Sequence, residues 1–343
     1  MGKTSKPEEL NVLMQMFNNL SVSDKKIFLS FLDKDKNEDR ISEIIKTKEV
    51  VACPHCNSSH FVKNGTKKGV QRYLCRDCKK SFVTESGTIL YRTQKDIEVW
   101  KKYIHCMINK YPLRKCAKEC DITLYTAFIW RHKILDALQN MMNDVELDGI
   151  VEADETFTTI SYKGNHKNFK LPREAHKRGT KASKRGLSRE QVCIPCGVNL
   201  NGLSIAKVSN LGRPRLKDIQ KVLGNRIKKD SVLVTDSLRA YQKLSFDMEL
   251  NHIRIPRKRH SVGTFNIQVI NNYHARLKDL IINRFNGVST KYLNNYLVYH
   301  NFVNFAKETE EEKEHILFRF ISETNCNTRT YNLSERNPIP LLN

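Results

Sequence analysis

A mixed α/β chain, with a small cysteine-rich module and a helical module ahead of an α/β domain, is the architecture that three features of the sequence predict. Two Cys-x2-Cys pairs lie 18 residues apart, at 53/56 and 75/78. Helical periodicity fills residues 94–138. From residue 148 onward, short apolar runs bounded by turn residues alternate with helical stretches.

The 343 residues allow two or three domains. A hydrophobic content of 39% and a mean hydropathy of -0.54 fit a soluble protein. No run approaches the roughly 18 apolar residues that span a membrane. The start, "MGKTSKPEEL", has no apolar core of a secretory signal, so a reducing cytoplasmic compartment is expected. There are 59 Lys and Arg against 37 Asp and Glu, a formal charge of +22. That excess favours a polyanionic partner, most often nucleic acid, over a mere solubility device. In a reducing compartment the ten cysteines should be thiols or metal ligands rather than disulfides.

Residues 1–50 read as a helical lead-in, with Ser23 or Asp24 able to cap a second helix. Residues 51–86 read as a zinc ribbon of two short strands. Each Cys-x2-Cys turn can aim both sulfurs at one ion, so Cys53, Cys56, Cys75 and Cys78 are the expected Zn2+ ligands. A module this small lacks a sufficient core; structural zinc contributes roughly 10–16 kcal/mol of apparent binding free energy. Lys63, Lys67, Lys68, Arg72, Arg76, Lys79 and Lys80 give it a basic face suited to phosphates, with protein docking as the other use.

Residues 92–145 read as a helix-turn-helix region. "LRKCAKECD" and "LYTAFIWRHKILDAL" are separated by the break "CDIT", and Thr123 can cap the second helix. Arg114, Lys115, Lys118, Arg131 and Lys133 are its candidate DNA contacts, while Cys106, Cys116 and Cys120 are expected in its core.

In residues 148–306, "DGIVEADETF", "EQVCIPCGVNL" and "GLSIAKVS" read as strands. "RPRLKDIQKVLGNRI" reads as a helix, "DSVLVTDSLRAYQKL" as a strand ending in Asp236, and "IQVINNYHARLKDLII" and "TKYLNNYLVYHNFVNFAK" as helices. Three strands, a helix, a strand and then helices is the order of an RNase H-like α/β domain. A basic insertion at 158–190 carries ten Lys and Arg and reads as an arm that orders on DNA or as a solvated linker. Cys193 and Cys196 lack a second pair and are taken as strand residues. Residues 307–343 read as a C-terminal tail opening on a solvated acidic helix face.

Asp154 and Asp236 each end an apolar run, "IVEAD" and "VLVTD". Carboxylates at the tips of adjacent strands repel unless a cation lies between them, and Mg2+, a hard ion that prefers oxygen, suits such a site. Two such ions clamp the attacking and leaving oxygens of a phosphoryl displacement. Helical spacing puts Asn271, His274 and Lys278 on one face. Asn271 offers a neutral carbonyl oxygen, with Asn272 or His274 as alternatives, and Lys278 offers a cation for phosphate. Glu152 and Glu155 flank Asp154; strand neighbours point to opposite faces, so Glu155 is expected to be structural or to support the site from behind.

Taken together, "CPHC…CRDC…SF", "LRKCAKECDITLYTAFIWRHKILDAL", "IVEADETF", "VLVTDSLRAY" and "NNYHARLKDLIINRFNGVSTKYLNNYL" (one Ile longer than the pattern) resemble bacterial insertion-sequence transposases of the DDE superfamily, in the ISXO-type group with an N-terminal zinc ribbon. The resemblance covers about 50–305. It implies an RNase H-like catalytic core with Mg2+ held by Asp154, Asp236 and a third position at Asn271, where many members have Glu. It implies Lys278 seven residues further on, double-stranded DNA (terminal repeats and target) as partner, hydrolysis and strand transfer at element ends, a dimer or larger assembly, and a bacterial nucleoid-associated location. The rivals are a catalytically degenerate zinc-ribbon and helix-turn-helix regulator, and a nuclease or resolvase of the same fold that cleaves without joining.

Overall fold

The computed structural model describes residues 50–67, 69–142, 145–164, 186–304, 310–324, 326 and 328–341. The expected helices of 1–49 and the centre of the basic insertion, 165–185, fall outside the described residues. Two compact units emerge, one holding 50–137 and 310–334, the other 138–304 and 335–341.

The first unit opens with strands β1 (Phe61–Lys67), β2 (Val70–Cys75) and β3 (Ser81–Val83), an antiparallel sheet in that order. The third strand, "SFV", exceeds the two expected and supplies Phe82, whose ring stacks on Tyr73 at 5.5 Å while Phe61 meets both edge-on. The apolar core is small: Cys53, Cys75 and Phe82 are its buried members.

Helices α1 (Ile97–Ile108), α2 (Leu113–Glu119) and α3 (Leu124–Met142) follow. Trp100 of α1 stacks on Trp130 of α3, with centroids 3.6 Å apart. Thr123 accepts the N–H of Thr126, as expected of a cap. Cys106, Cys116 and Cys120 are buried, also as expected. Residues 310–335 correct the expected tail. They form α8 (Glu310–Glu323) and α9 (Thr330–Glu335), bury Leu317, Phe318, Ile321 and Leu333, and join α1 through His105 and Glu314 at 2.7 Å.

The second unit is mixed α/β. Its elements are β4 (Ile150–Thr159), β5 (Gln191–Asn199), β6 (Ser204–Ala206), β7 (Asn210–Leu211), α4 (Leu216–Leu223), β8 (Val232–Thr235), α5 (Arg239–Asp247), β9 (Asn251–Arg254), the small hairpin β10 (Ser261–Val262) and β11 (Phe265–Asn266), α6 (Gln268–Asp279) and α7 (Leu293–Asn304). The sheet runs β6-β5-β4-β8-β9, antiparallel through β6, β5 and β4 and parallel from β4 through β8 to β9, with β7 on β5. Val151 and Ala153 of β4 face a core that includes Ile219 and Leu223 of α4 and Tyr241 and Leu244 of α5. The alternate residue, Glu152, faces α6 instead. A single π turn, Leu280–Arg284, follows α6 and takes up the extra Ile of "DLIINR". Among the described residues no helix is long and apolar enough to cross a membrane.

Candidate active site and metal-ligating clusters

Pairing between β4 and β8 ends at Ala153 with Thr235. The next residue on each strand is an acid, Asp154 and Asp236. Parallel neighbours lie about 4.8 Å apart, so the register alone brings the two backbones side by side. Asp154 does not end its strand, which corrects the sequence reading. β4 runs on to Thr159 against β5, pairing Asp154 with Cys196; what ends at Asp154 is the parallel pairing. Asp236 leaves β8 and its Oδ1 accepts the N–H of Leu238 at 2.9 Å, which fixes the turn into α5.

Both acids line one cleft of about 560 Å³, with Glu155, Phe157, Leu187, Arg213, Pro214 and Leu238 around them. Burial pushes the Asp154 carboxyl up to about 6; the charge of Asp236 adds to this, and Lys278 and the backbone N–H of Glu155 act against it. Glu155 is pushed up to about 7 by burial, helped by the charges of Asp154 and Asp236 and opposed by the Tyr241 hydroxyl. The Glu155 Oε1 and the Tyr241 hydroxyl are both buried and close enough to influence each other, yet among the described residues neither closes a hydrogen bond of good geometry. A hard divalent cation beside these acids would offset both the desolvation and the repulsion.

Helix α6 brings two of its expected residues to the acids. His274 is buried with Nδ1 3.9 Å from the Asp154 Oδ2. Burial and the charge of Lys278 push His274 down to about 4, so it is neutral at pH 7, and a 3.9 Å contact of a neutral ring is neither an ion pair nor a hydrogen bond. Lys278 is exposed and its field acts on both Asp154 and His274. Asn271 and Asn272 are exposed, and neither borders the cleft. Asn271 stands one turn ahead of His274 on the same helix.

Two residues of this site, Arg213 and Ser237, were not picked out from sequence, and Glu152 was named there without a role. Glu152, 3% exposed, accepts the N–H of Ile270 at 2.9 Å through Oε2, so a β4 carboxylate seats the first turn of α6. Burial raises its pKa, and the N–H groups of Ile270 and Val269 pull it back. Arg213 places a cation on the cleft wall. The Ser237 hydroxyl, next to Asp236, bonds the segment after β9. Glu155 was assigned to the face opposite Asp154; its coupling to Tyr241 supports that, yet it borders the same cleft.

In the first unit, one sulfur from each of Cys53, Cys56, Cys75 and Cys78 lies within 4.8 Å of the others, a cluster that could hold a structural metal such as zinc. Sγ of Cys53 is 3.7 Å from Cys78 and that of Cys56 is 3.6 Å from Cys75. The backbone N–H of Cys78, with further donors, lowers the Cys75 thiol to about 6, which favours the thiolate a metal needs. Lys63, Lys67, Arg76, Lys79 and Lys80 are exposed, Arg72 is half-buried, and Lys68 falls outside the described residues. Arg114, Lys115 and Lys118 are exposed as a DNA contact requires. Arg131 is not: it is 2% exposed and donates to the Tyr111 carbonyl at 2.7 Å and the Cys116 sulfur at 3.1 Å, so it is removed from the candidate contacts.

Comparison with known proteins bears on this geometry. Residues 146–304 match the family model described as the ISXO2-like transposase domain. That match, with the relative below, supports an insertion-sequence transposase of the DDE superfamily. It is 26% identical over 209 residues to a Halobacterium salinarum protein named for the transposable element ISH50, covering 59% of this chain and 67% of that one. A chain of a pre-cleavage Mos1 transpososome is a more distant structural likeness, with a TM-score of 0.24 at 10% identity, over 68% of this chain and 80% of that one.

Proposed function

We propose that this chain acts as a transposase: water hydrolyses a phosphodiester at the end of its element, and the freed 3'-hydroxyl then attacks a target phosphodiester, forming one phosphodiester as it breaks another and releases the target strand's 3'-hydroxyl, both in the cleft of Asp154 and Asp236. The observation that carries this is the register: two acids, next to each other on adjoining parallel strands, line one cleft within the field of Lys278. Asp154 and Asp236 would hold Mg2+, and Asn271, on the α6 face that carries His274 and Lys278, would be the third ligand. The ion, when bound, supplies Lewis-acid stabilisation of charge on the phosphate oxygens. Lys278 binds the phosphate beside the acids, Glu152 holds the helix that carries it, and neutral His274 limits water at Asp154. The strand order β6-β5-β4-β8-β9 of the second unit supports the RNase H-like reading. In the first unit, zinc on the four cysteines holds a ribbon, and α2 and α3 act as a helix-turn-helix that reads duplex DNA through exposed Arg114, Lys115 and Lys118. Bringing two element ends together calls for a dimer or larger assembly. The site of action is the bacterial cytoplasm, at the nucleoid.

Asp154→Asn tests this reading. Cleavage of element-end DNA in Mg2+ should fall by about a hundredfold or more, as expected when a group acting on transition-state charge is lost, while DNA affinity holds. Undiminished cleavage by the variant would refute the assignment.

A further inference from the structure

The segment after β9, "IPRKRHS", was given no role in the sequence, and its placement gives it one. β9 continues the parallel sheet beside β8, with Arg254 opposite Thr235. The N–H of Ile255 donates to the Thr235 carbonyl at 2.8 Å. The Ser237 hydroxyl donates to the Ile255 carbonyl and accepts the N–H of Arg257, each at 3.1 Å. Asp236 lies between those two anchors in sequence, so the segment is fastened at the acid-bearing end of the sheet.

From there the chain makes a tight turn, closed by the Arg259 N–H on the Pro256 carbonyl at 3.0 Å. Arg257, Lys258, Arg259 and His260 are all exposed, and none is ion-paired among the described residues. Lys258 sits at φ +75°, a left-handed conformation that such turns usually give to Gly or Asn. A side chain held there at a cost in strain, among like charges, points to a use for the charge. At the other end of β8, by contrast, Lys228 and Lys229 are paired with Asp148 and Glu249.

We propose that Arg257, Lys258 and Arg259 form a clamp for the backbone phosphates of the DNA strand being cut, next to Asp236. This rests on the transposase reading above. The cleft acids repel a polyanion, so its approach needs fixed cations beside them. Exposed, flexible heads on a turn suit phosphates, which position a strand, rather than base edges, which specify it.

The test uses the full-length chain and a short labelled duplex of arbitrary sequence, with binding followed by anisotropy across a salt series. The double variant Arg257→Ala with Arg259→Ala should flatten the slope of log K against log salt by about 2, at roughly 0.9 per lost phosphate contact. Lys228→Ala with Lys229→Ala removes the same charge from the far end of the strand and should leave the slope unchanged. Lys258→Gly should keep or raise the melting temperature, since Gly relieves the turn, yet flatten the slope by about 1. If the two doubles behave alike, or Lys258→Gly binds as the wild type does, the clamp is overturned. A wild-type chain that does not bind duplex DNA at all sinks the transposase reading and the clamp with it.

Discussion

At the residue scale, the acids of the cleft are held at a cost. Asp154 and Glu155 have their carboxyls raised to about 6 and about 7, from ordinary values of 3.8 and 4.5, chiefly by burial. At these two groups the folded chain therefore keeps protons that the unfolded chain has already released, and their contribution to stability falls as pH rises through that window. Neutral His274, held down to about 4, acts in the opposite sense below about pH 6.5, so the penalty of Asp154 is read in magnesium-free, zinc-replete buffer as the difference between wild type and Asp154→Asn, whose melting temperatures should diverge between about pH 4 and pH 7. The wild type should fall relative to the variant, and added Mg2+ should restore the wild type above pH 6 but not the variant. Parallel pH curves for the two proteins would show that Asp154 carries no such penalty. The two acids were legible as the ends of apolar runs. The roles of Glu152 and Arg131 were not. The partner of Glu152 is 118 residues away, and Arg131 looks like any cation on a basic helix until Tyr111 and Cys116 close over it.

At the scale of elements, α6 is the piece on which the proposed third ligand, Asn271, depends. Glu152 seats its first turn, and removing that carboxylate leaves backbone donors unpaired, a loss of about 1–3 kcal/mol. The face that carries His274 and Lys278 also carries Asn271, whereas Asn272 points about 100° away. Asn271→Ala should accordingly lower cleavage at least tenfold, and Asn272→Ala should change it little. The reverse result moves the ligand by one residue. Long, strongly periodic helices and buried strands could be read from sequence because their pattern is local. Short β9 could not be: its half-exposed "NHIR" has no apolar run, and its pairing with β8 supplies what its sequence lacks. α5 was hidden because only three residues separate it from the end of β8, so strand and helix ran together as one stretch. The acidic start of α8 likewise masked Leu317, Phe318 and Ile321, which bury it.

At the scale of the whole molecule, the order of modules was legible because each carries its own chemistry: sulfur pairs, basic helices, acids on strands. What joins the acids into a site is tertiary register, which no single segment announces. The sheet order β6-β5-β4-β8-β9 makes β4 and β8 neighbours although Val232 stands 82 positions after its partner Ile150 and the basic insertion lies between. The account therefore stands on Asp154 and Asp236 sharing a divalent ion. Titration of the zinc-loaded full chain with Mn2+, read by electron paramagnetic resonance, tests that most directly. A Mn2+ site should be present in the wild type and lost or strongly weakened in both Asp154→Asn and Asp236→Asn; retention of the same site at the same affinity in either variant would contradict it.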